Sequence, residues 1–402
     1  MRILLVNTFI GSTSTGNLTY DIYKKCVEDG NECVIAYGRK DAKHDARSYR
    51  ISNSIDYHIH ALWTRITDLN GTGSYFTTKK FLKFIDEYSP DIIHLHNLHG
   101  YYLNLRLFFE YVESKDIPIV WTFHDCWPFT GHCPYYTNIG CDRWKTGCHD
   151  CPKKREHPSS LLLDNSRRNY RVKNELFHLP KQMIITPVSD WLSGEVRKSF
   201  FRDVQIRTVY NGIDLKIFKP VESNFKKQHG IEKKKMLLGV AINWVPTKGL
   251  DDFIKLKENI TDEYAIVLVG LEEEQIKGLP KGIIGLGRTG NVKELVEIYS
   301  AADVFVNPSR EETFGMVTAE AMACGTPAVV YNATASPELV DENTGRVVEV
   351  GNVDELCRQV QLIDKRSMEK SCRERAEMLF DKEKNQGQYL EIYKELINWR
   401  SR

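Results

Sequence analysis

Short apolar runs and amphipathic stretches take turns along most of this chain. "RILLVN" is followed by "LTYDIYKKCVEDG", whose apolar positions recur at helical spacing, then by "ECVIAYG", and later by "FLKFIDEYSP" and "DIIHLHN". Brief apolar runs bounded by polar residues read as buried strands, and the stretches between them as helices. Strand and helix in alternation predict a parallel sheet wrapped by helices. "PIVWTFHD", "QMIITPVSDWL" and "VQIRTVYNGID" continue the rhythm until a charged, irregular stretch, "KPVESNFKKQHGIEKKK" (219–235), breaks it. That stretch reads as an interdomain linker.

Beyond it the alternation restarts, with "MLLGVAI", "YAIVLVG", "GIIGLG", "DVFVNPS" and "PAVVY" as strands and "LDDFIKLKEN", "VKELVEIYSAA" and "VTAEAMACG" as helices. The fold class expected is α/β, with two doubly wound, Rossmann-like parallel-sheet domains. The expected organisation is a first domain over 1–218, the linker 219–235, a second domain over 236–383 and a closing helix over 384–402. The apolar and aromatic positions of "NQGQYLEIYKELINWR" suit a helix docked on the body, with the first domain as one docking place. Two such domains facing each other would set a cleft at the carboxyl ends of their strands, so chemistry is sought in strand-to-helix loops.

Composition changes this picture little. At 402 residues and 42% hydrophobic content the chain is long enough for two cores. Lys and Arg number 55 against 54 Asp and Glu, so no global field favours nucleic acid. The opening "MRILLVNTF" has too short an apolar run for a signal peptide, and no later segment reaches membrane-spanning length. A cytoplasmic protein is expected, with peripheral contact at the inner face of a membrane as an option. Ten cysteines in a reducing compartment then read as free thiols or metal ligands.

The densest chemistry lies in "REETFGMVTAEAMACGTPAVV". Glu312 falls in a loop after a strand, and Glu320 about one turn inside the helix that follows. The amides near Phe314, Gly315 and Met316 open that helix and suit an anion. Carboxylates beside such a site would repel phosphate unless they were engaged with hydroxyls, and a sugar or ribose supplies paired hydroxyls. A nucleotide sugar satisfies both demands.

This string resembles the double-glutamate signature of retaining glycosyltransferases of the family 4 type, which have the GT-B fold. "TPVSDWL", "VYNGIDLKIFKP", "TKGLDDFI", "AADVFVNPS" and "ASPELVDENTGRVV" follow in the family's order, so the resemblance covers most of the chain. It implies that Glu320 holds the ribose, and that Glu312 with the amides of Phe314, Gly315 and Met316 meets the donor sugar and phosphates. It also implies that Lys248 meets the diphosphate and that the main chain at Gly287, Arg288 and Thr289 holds the base. Where members commonly carry an arginine five residues before that lysine, this chain has Asn243, and Arg288 is a candidate to supply the missing cation. Gly16, in "STSTGNL", would keep the first helix start open to the donor, and its loop resembles that of a bacterial surface-polysaccharide subset. His124, ending "WTFHD", would bind and orient the donor sugar. The implied mechanism is front-face displacement with retention, needing no catalytic metal, and the first domain would take the acceptor.

Cys148 and Cys151 form a C-x2-C, and Cys133 and Cys141 would complete four thiolates around a structural zinc; buried free thiols are the other reading. "PKKREHP", "SRRNYRVKN" and "YYLNLRLFFEYV" offer basic and aromatic side chains to a lipid surface, or are ordinary helices. The function expected is transfer of a UDP- or GDP-linked sugar to a glycan or lipid-linked acceptor in bacterial surface-polysaccharide synthesis. The rivals are a nucleotide-sugar epimerase of the same architecture and a non-catalytic zinc- or sugar-binding protein.

Overall fold

The computed structural model describes residues 1–39 and 45–400. Residues 40–44 of the expected first domain and 401–402 of the expected closing helix lie outside these. The chain forms two compact units, one of Met1–Val209 with Asn385–Arg402, the other of Tyr210–Lys384.

The first unit runs β1 (Arg2–Asn7), α1 (Thr13–Glu28), β2 (Glu32–Tyr37), β3 (Ser48–Arg50), α2 (Ser54–Thr67), α3 (Tyr75–Tyr88), β4 (Ile92–Leu95), α4 (Leu105–Lys115), β5 (Ile119–Phe123), α5 (Ser166–Phe177), β6 (Met183–Pro187), α6 (Asp190–Lys198) and β7 (Gln205–Ile206). All neighbours pair in parallel, in the order β3-β2-β1-β4-β5-β6-β7. Strands covered on both faces need apolar residues throughout, and Ile3, Leu4, Leu5 and Val6 of β1 are fully buried.

The second unit runs α7 (Phe225–Gln228), β8 (Lys235–Val240), α8 (Leu250–Asn259), β9 (Tyr264–Val269), α9 (Glu273–Lys277), β10 (Ile283–Leu286), α10 (Val292–Ala301), β11 (Val304–Asn307), α11 (Met316–Ala323), β12 (Ala328–Tyr331), α12 (Ser336–Leu339), β13 (Gly345–Val348), α13 (Val353–Leu362) and α14 (Lys365–Leu379). Its sheet is also parallel, in the order β10-β9-β8-β11-β12-β13. The order reverses between β8 and β11, and the loops leaving those two strands therefore diverge from a common crevice.

The segment 219–235 lies wholly inside the second unit. Its Val221 N–H donates to Ser300 Oγ at 3.2 Å, and Lys226 Nζ pairs with Asp303 at 2.5 Å. The last helix, α15 (Lys382–Arg400), carries the chain back to the first unit. There Tyr389, Leu390, Ile392, Tyr393 and Leu396 join the core around Ile3, Leu5 and Ile35. The Tyr393 hydroxyl meets His94 Nδ1 at 2.6 Å, which gives a buried polar group a partner.

Candidate active site

In the second unit, the turn after β8 and the loop after β11 are locked together. Arg310 N–H donates to the Thr247 carbonyl at 2.8 Å, and Arg310 pairs with the buried Asp252 of α8 at 2.8 Å. Gly249 has φ of +75°, and a Cβ there would lie 2.6 Å from the Pro308 carbonyl oxygen, so glycine permits the close approach. On the far side, Glu312 N–H donates to Thr334 Oγ1 at 2.8 Å, and the Glu312 carbonyl accepts from Ala335 N–H at 3.1 Å. These clamps bring Lys248 Nζ to 2.5 Å from Glu312 Oε1, across 64 residues of chain.

Gly315, with φ of +100°, caps α11, and a Cβ there would lie 3.0 Å from Leu339. Phe314 is buried and anchors the turn edge-on against Phe380. Thr318 and Ala319 N–H donate to the Gly315 carbonyl at 3.0 and 3.3 Å, which leaves the amides of Met316 and Val317 as the first-turn donors of α11. One turn on, Tyr299 of α10 donates its hydroxyl to Glu320 Oε2 at 2.9 Å. Desolvation raises the Glu320 carboxyl to about 7, and the Tyr299 hydrogen bond only partly opposes this. Lys248, Glu312, Glu320 and the start of α11 thus share the region where β8 and β11 end.

Asn243 and Arg288 also meet: the Arg288 guanidinium donates to Asn243 Oδ1 at 3.0 Å and to the Ile242 carbonyl at 3.3 Å. A cation therefore stands against the side chain at position 243. Gly287, Arg288 and Thr289 line a cavity of about 320 Å³ with Phe225, His229 and Glu294.

In the first unit, His124 directly follows the last residue of β5 and is buried. Its Nε2 lies 3.0 Å from His96 Nδ1 at the end of β4, and His96 Nε2 is buried without a partner among the described residues. Burial pushes His124 down to about 4, so the imidazole is neutral near pH 7. Beside it, His99 Nε2 pairs with Asp125 at 2.9 Å, and His99 Nδ1 meets His157 at 3.3 Å. Gly16 lies in the first turn of α1, where a Cβ would be 3.3 Å from Phe9.

Cys133, Cys141, Cys148 and Cys151 line one small cavity, together with His132 and Trp144. Cys148 Sγ accepts from Gly131 N–H at 3.1 Å. Among the described residues, no group of three or more His, Cys, Asp or Glu side chains stands close enough to hold a metal ion.

Sequence reasoning missed Tyr299, Thr334, the Arg310–Asp252 pair and the imidazoles at positions 96, 99 and 157. The alternation in "HLH" puts His94, in β4, and His96, just past its end, on the same side, a signal that was readable. The Tyr299 and Thr334 contacts join separate segments and leave no local pattern. The two basic and aromatic stretches on α4 and α5 each bury one face and leave Arg106, Arg167, Arg168 and Arg171 towards solvent, the division of an ordinary surface helix. On α4, Phe108, Phe109 and Val112 are buried; on α5, Lys173 is buried and donates to the Trp127 and Thr130 carbonyls at 2.7 and 3.0 Å.

The two parallel-sheet units have the plan of the GT-B fold, and comparison with known proteins makes the chain a glycosyltransferase. The model for Glycosyltransferase Family 4 matches residues 15–217, half of the chain, and that for Glycosyl transferases group 1 matches residues 221–378. The chain belongs to glycosyltransferase family 4. It is 22% identical, over 90% of each chain, to a putative colanic acid biosynthesis glycosyl transferase, WcaC, of Escherichia coli K12. It is 30% identical to the N-acetyl-alpha-D-glucosaminyl L-malate synthase of Bacillus anthracis over 55% of this chain and 62% of that one. Among solved structures, Anabaena HepE in complex with UDP superposes with a TM-score of 0.71 at 17% identity, over 98% of this chain and all of the other. Sucrose-phosphate synthase of Thermosynechococcus elongatus gives the same score at 18% identity over 99% of each.

Among the described residues, no helix is long and apolar enough to cross a membrane.

Proposed function

We propose that this glycosyltransferase moves a sugar, with retention and without a catalytic metal, from a UDP- or GDP-linked donor to a glycan or lipid-linked acceptor in surface-polysaccharide assembly. The observation that carries the reading is the meeting of Lys248 and Glu312 beside the start of α11, with Glu320 one turn further on. A diphosphate leaving group gains negative charge as the C1–O bond breaks. Lys248 and the first amides of α11 would stabilise that charge, which is the task a metal would otherwise perform. Arg288, held against Asn243, would supply the second cation. Glu320 would accept both ribose hydroxyls, and Glu312 would meet the sugar. The leaving phosphate oxygen takes the acceptor proton as the acceptor oxygen bonds C1 from the same face, so no carboxylate nucleophile is required. His124, neutral through burial, suits orientation of sugar hydroxyls and not proton abstraction.

Similarity to a colanic acid biosynthesis enzyme over most of both chains supports the pathway class, and a fold shared with a UDP complex supports the donor class. The test is proton NMR of slow hydrolysis of UDP-glucose and GDP-mannose, with water as acceptor. The α-anomer should appear first, from one of the donors, at a rate unchanged by EDTA. A β-anomer appearing first, or a rate abolished by EDTA, would contradict the mechanism. Conversion to an isomeric donor without release would identify an epimerase.

A further inference from the structure

Helix α2 is amphipathic the wrong way round for a soluble surface. It buries His60, Ala61 and Thr64. Ile55, Ile59, Leu62 and Ile66 are 73%, 65%, 59% and 43% exposed, and Trp63 is 46% exposed. Spacings of four, three and four residues place the four aliphatic side chains on one stripe.

The stripe continues beyond the helix. Leu161, Leu162 and Leu163 are 61%, 66% and 52% exposed, and their loop is pinned to the end of α2. Leu161 N–H donates to the Arg65 carbonyl at 2.7 Å, and Leu163 N–H to that of Ile66 at 3.4 Å. Further back on α2, His60 Nδ1 meets Ser74 Oγ at 2.8 Å and so holds the start of α3, where Phe76 is 77% exposed. Contiguous apolar surface on this scale marks a contact site.

The rim decides what the contact is. Phe76, Lys79, Lys80 and Lys83 recur at helical spacing on the exposed side of α3, and Arg65 is exposed on α2. The Asp56 carboxylate of α2 is occupied by the Ser52 and Ser74 hydroxyls, at 2.8 and 2.6 Å. A second copy docked by two-fold symmetry on this patch would bring two lysine rims together. A bilayer meets every feature: acyl chains for the stripe, the interface for Trp63 and Phe76, and anionic headgroups for the lysines.

We propose that α2, the 161–163 loop and the start of α3 form the face by which the protein lies on a bilayer containing anionic lipid. The proposal does not rest on the donor or the acceptor. It sets the lipid contact on a different face from the basic side chains of α4 and α5.

The test is flotation of the full chain with vesicles of phosphatidylcholine alone and with about 30% phosphatidylglycerol. The wild type should float with the anionic vesicles. Leu62→Asp combined with Leu162→Asp should reduce that binding about tenfold or more, since two apolar contacts are lost to charge. Lys79→Glu combined with Lys83→Glu should weaken binding to anionic vesicles alone, and raised salt should act in the same direction. Melting temperatures in the presence of UDP and GDP, measured on each variant, report folding and the donor site separately from this surface. A wild type that floats with neither vesicle, variants that float like the wild type, or a dimer by light scattering that Leu62→Asp dissociates would each overturn the proposal.

Discussion

The two units share a parallel-sheet plan and differ in what they hold at the ends of their strands. In the second unit the strand ends carry charge: a Lys248–Glu312 pair, the Arg288 guanidinium and the Glu320 carboxyl. In the first the ends of β4 and β5 carry imidazoles, His96 and His124, with the carboxylate of Asp125 paired to His99, and burial holds His124 down to about 4. On the proposed reading, one plan serves two kinds of recognition. Fixed charge suits a diphosphate, whereas neutral donors and acceptors suit hydroxyls, which a charged group would bind with less discrimination between partners.

Removing charge from the second unit should have the largest effect. Lys248→Ala should lower kcat/KM for donor turnover by about a hundred- to a thousandfold, the range for loss of one preorganised group at a developing anion. Steady-state kinetics checks this, and a loss confined to KM would mean that Lys248 contributes ground-state binding alone.

In the first unit the expected effect is smaller and of another kind. His124→Ala should cost about ten- to a hundredfold through lost orientation. Because the His124 imidazole is already neutral above about pH 5, the wild-type rate should show no inflection from it between about pH 5.5 and 8. An inflection in that range that disappears in His124→Asn would erase the distinction between the units.

Glu320 belongs to the charged set yet is pushed towards neutrality, and this sharpens the comparison. With its carboxyl at about 7, nucleotide affinity should fall about tenfold between pH 8 and pH 6, as the carboxylate proposed to accept the ribose hydroxyls takes up a proton. Calorimetric titration at the two pH values checks this. Folding raises this pKa from 4.5 to about 7, so the linked stability is fully present below pH 4.5 and is lost as pH rises through 7. Glu320→Gln should therefore be more stable than the wild type by about 1–3 kcal/mol near pH 8, and should lose that advantage near pH 4. Denaturant titrations at both values read it. The smallest effect expected is that of Gly249→Ala, about 1–2 kcal/mol less stable, from the left-handed backbone and the Pro308 carbonyl.

The sheets were legible because strands buried on both faces must be continuously apolar, as "RILLVN" and "YAIVLVG" are. Helix α2 was not, because its apolar face is exposed and its buried face holds His60 and Thr64, which conceals the usual signal. The short strand β13 was read only as part of a motif, since "GRVV" is half polar. Within the site, Glu312, Glu320 and Lys248 stood out by spacing and resemblance. Thr334, Tyr299 and Asp252 did not, since they act through contacts between segments far apart in sequence. The cysteines were visible as a cluster, and the fold gathers them around one cavity.

The most direct measurement is the melting temperature of the full chain with UDP, GDP or ADP, with and without EDTA, in the wild type and in Glu320→Ala. Stabilisation by UDP or GDP that survives EDTA and is lost in Glu320→Ala is the result predicted for a nucleotide held by the second unit without a metal. A folded protein that none of the three stabilises, or one that binds equally well without the Glu320 carboxyl, would contradict it.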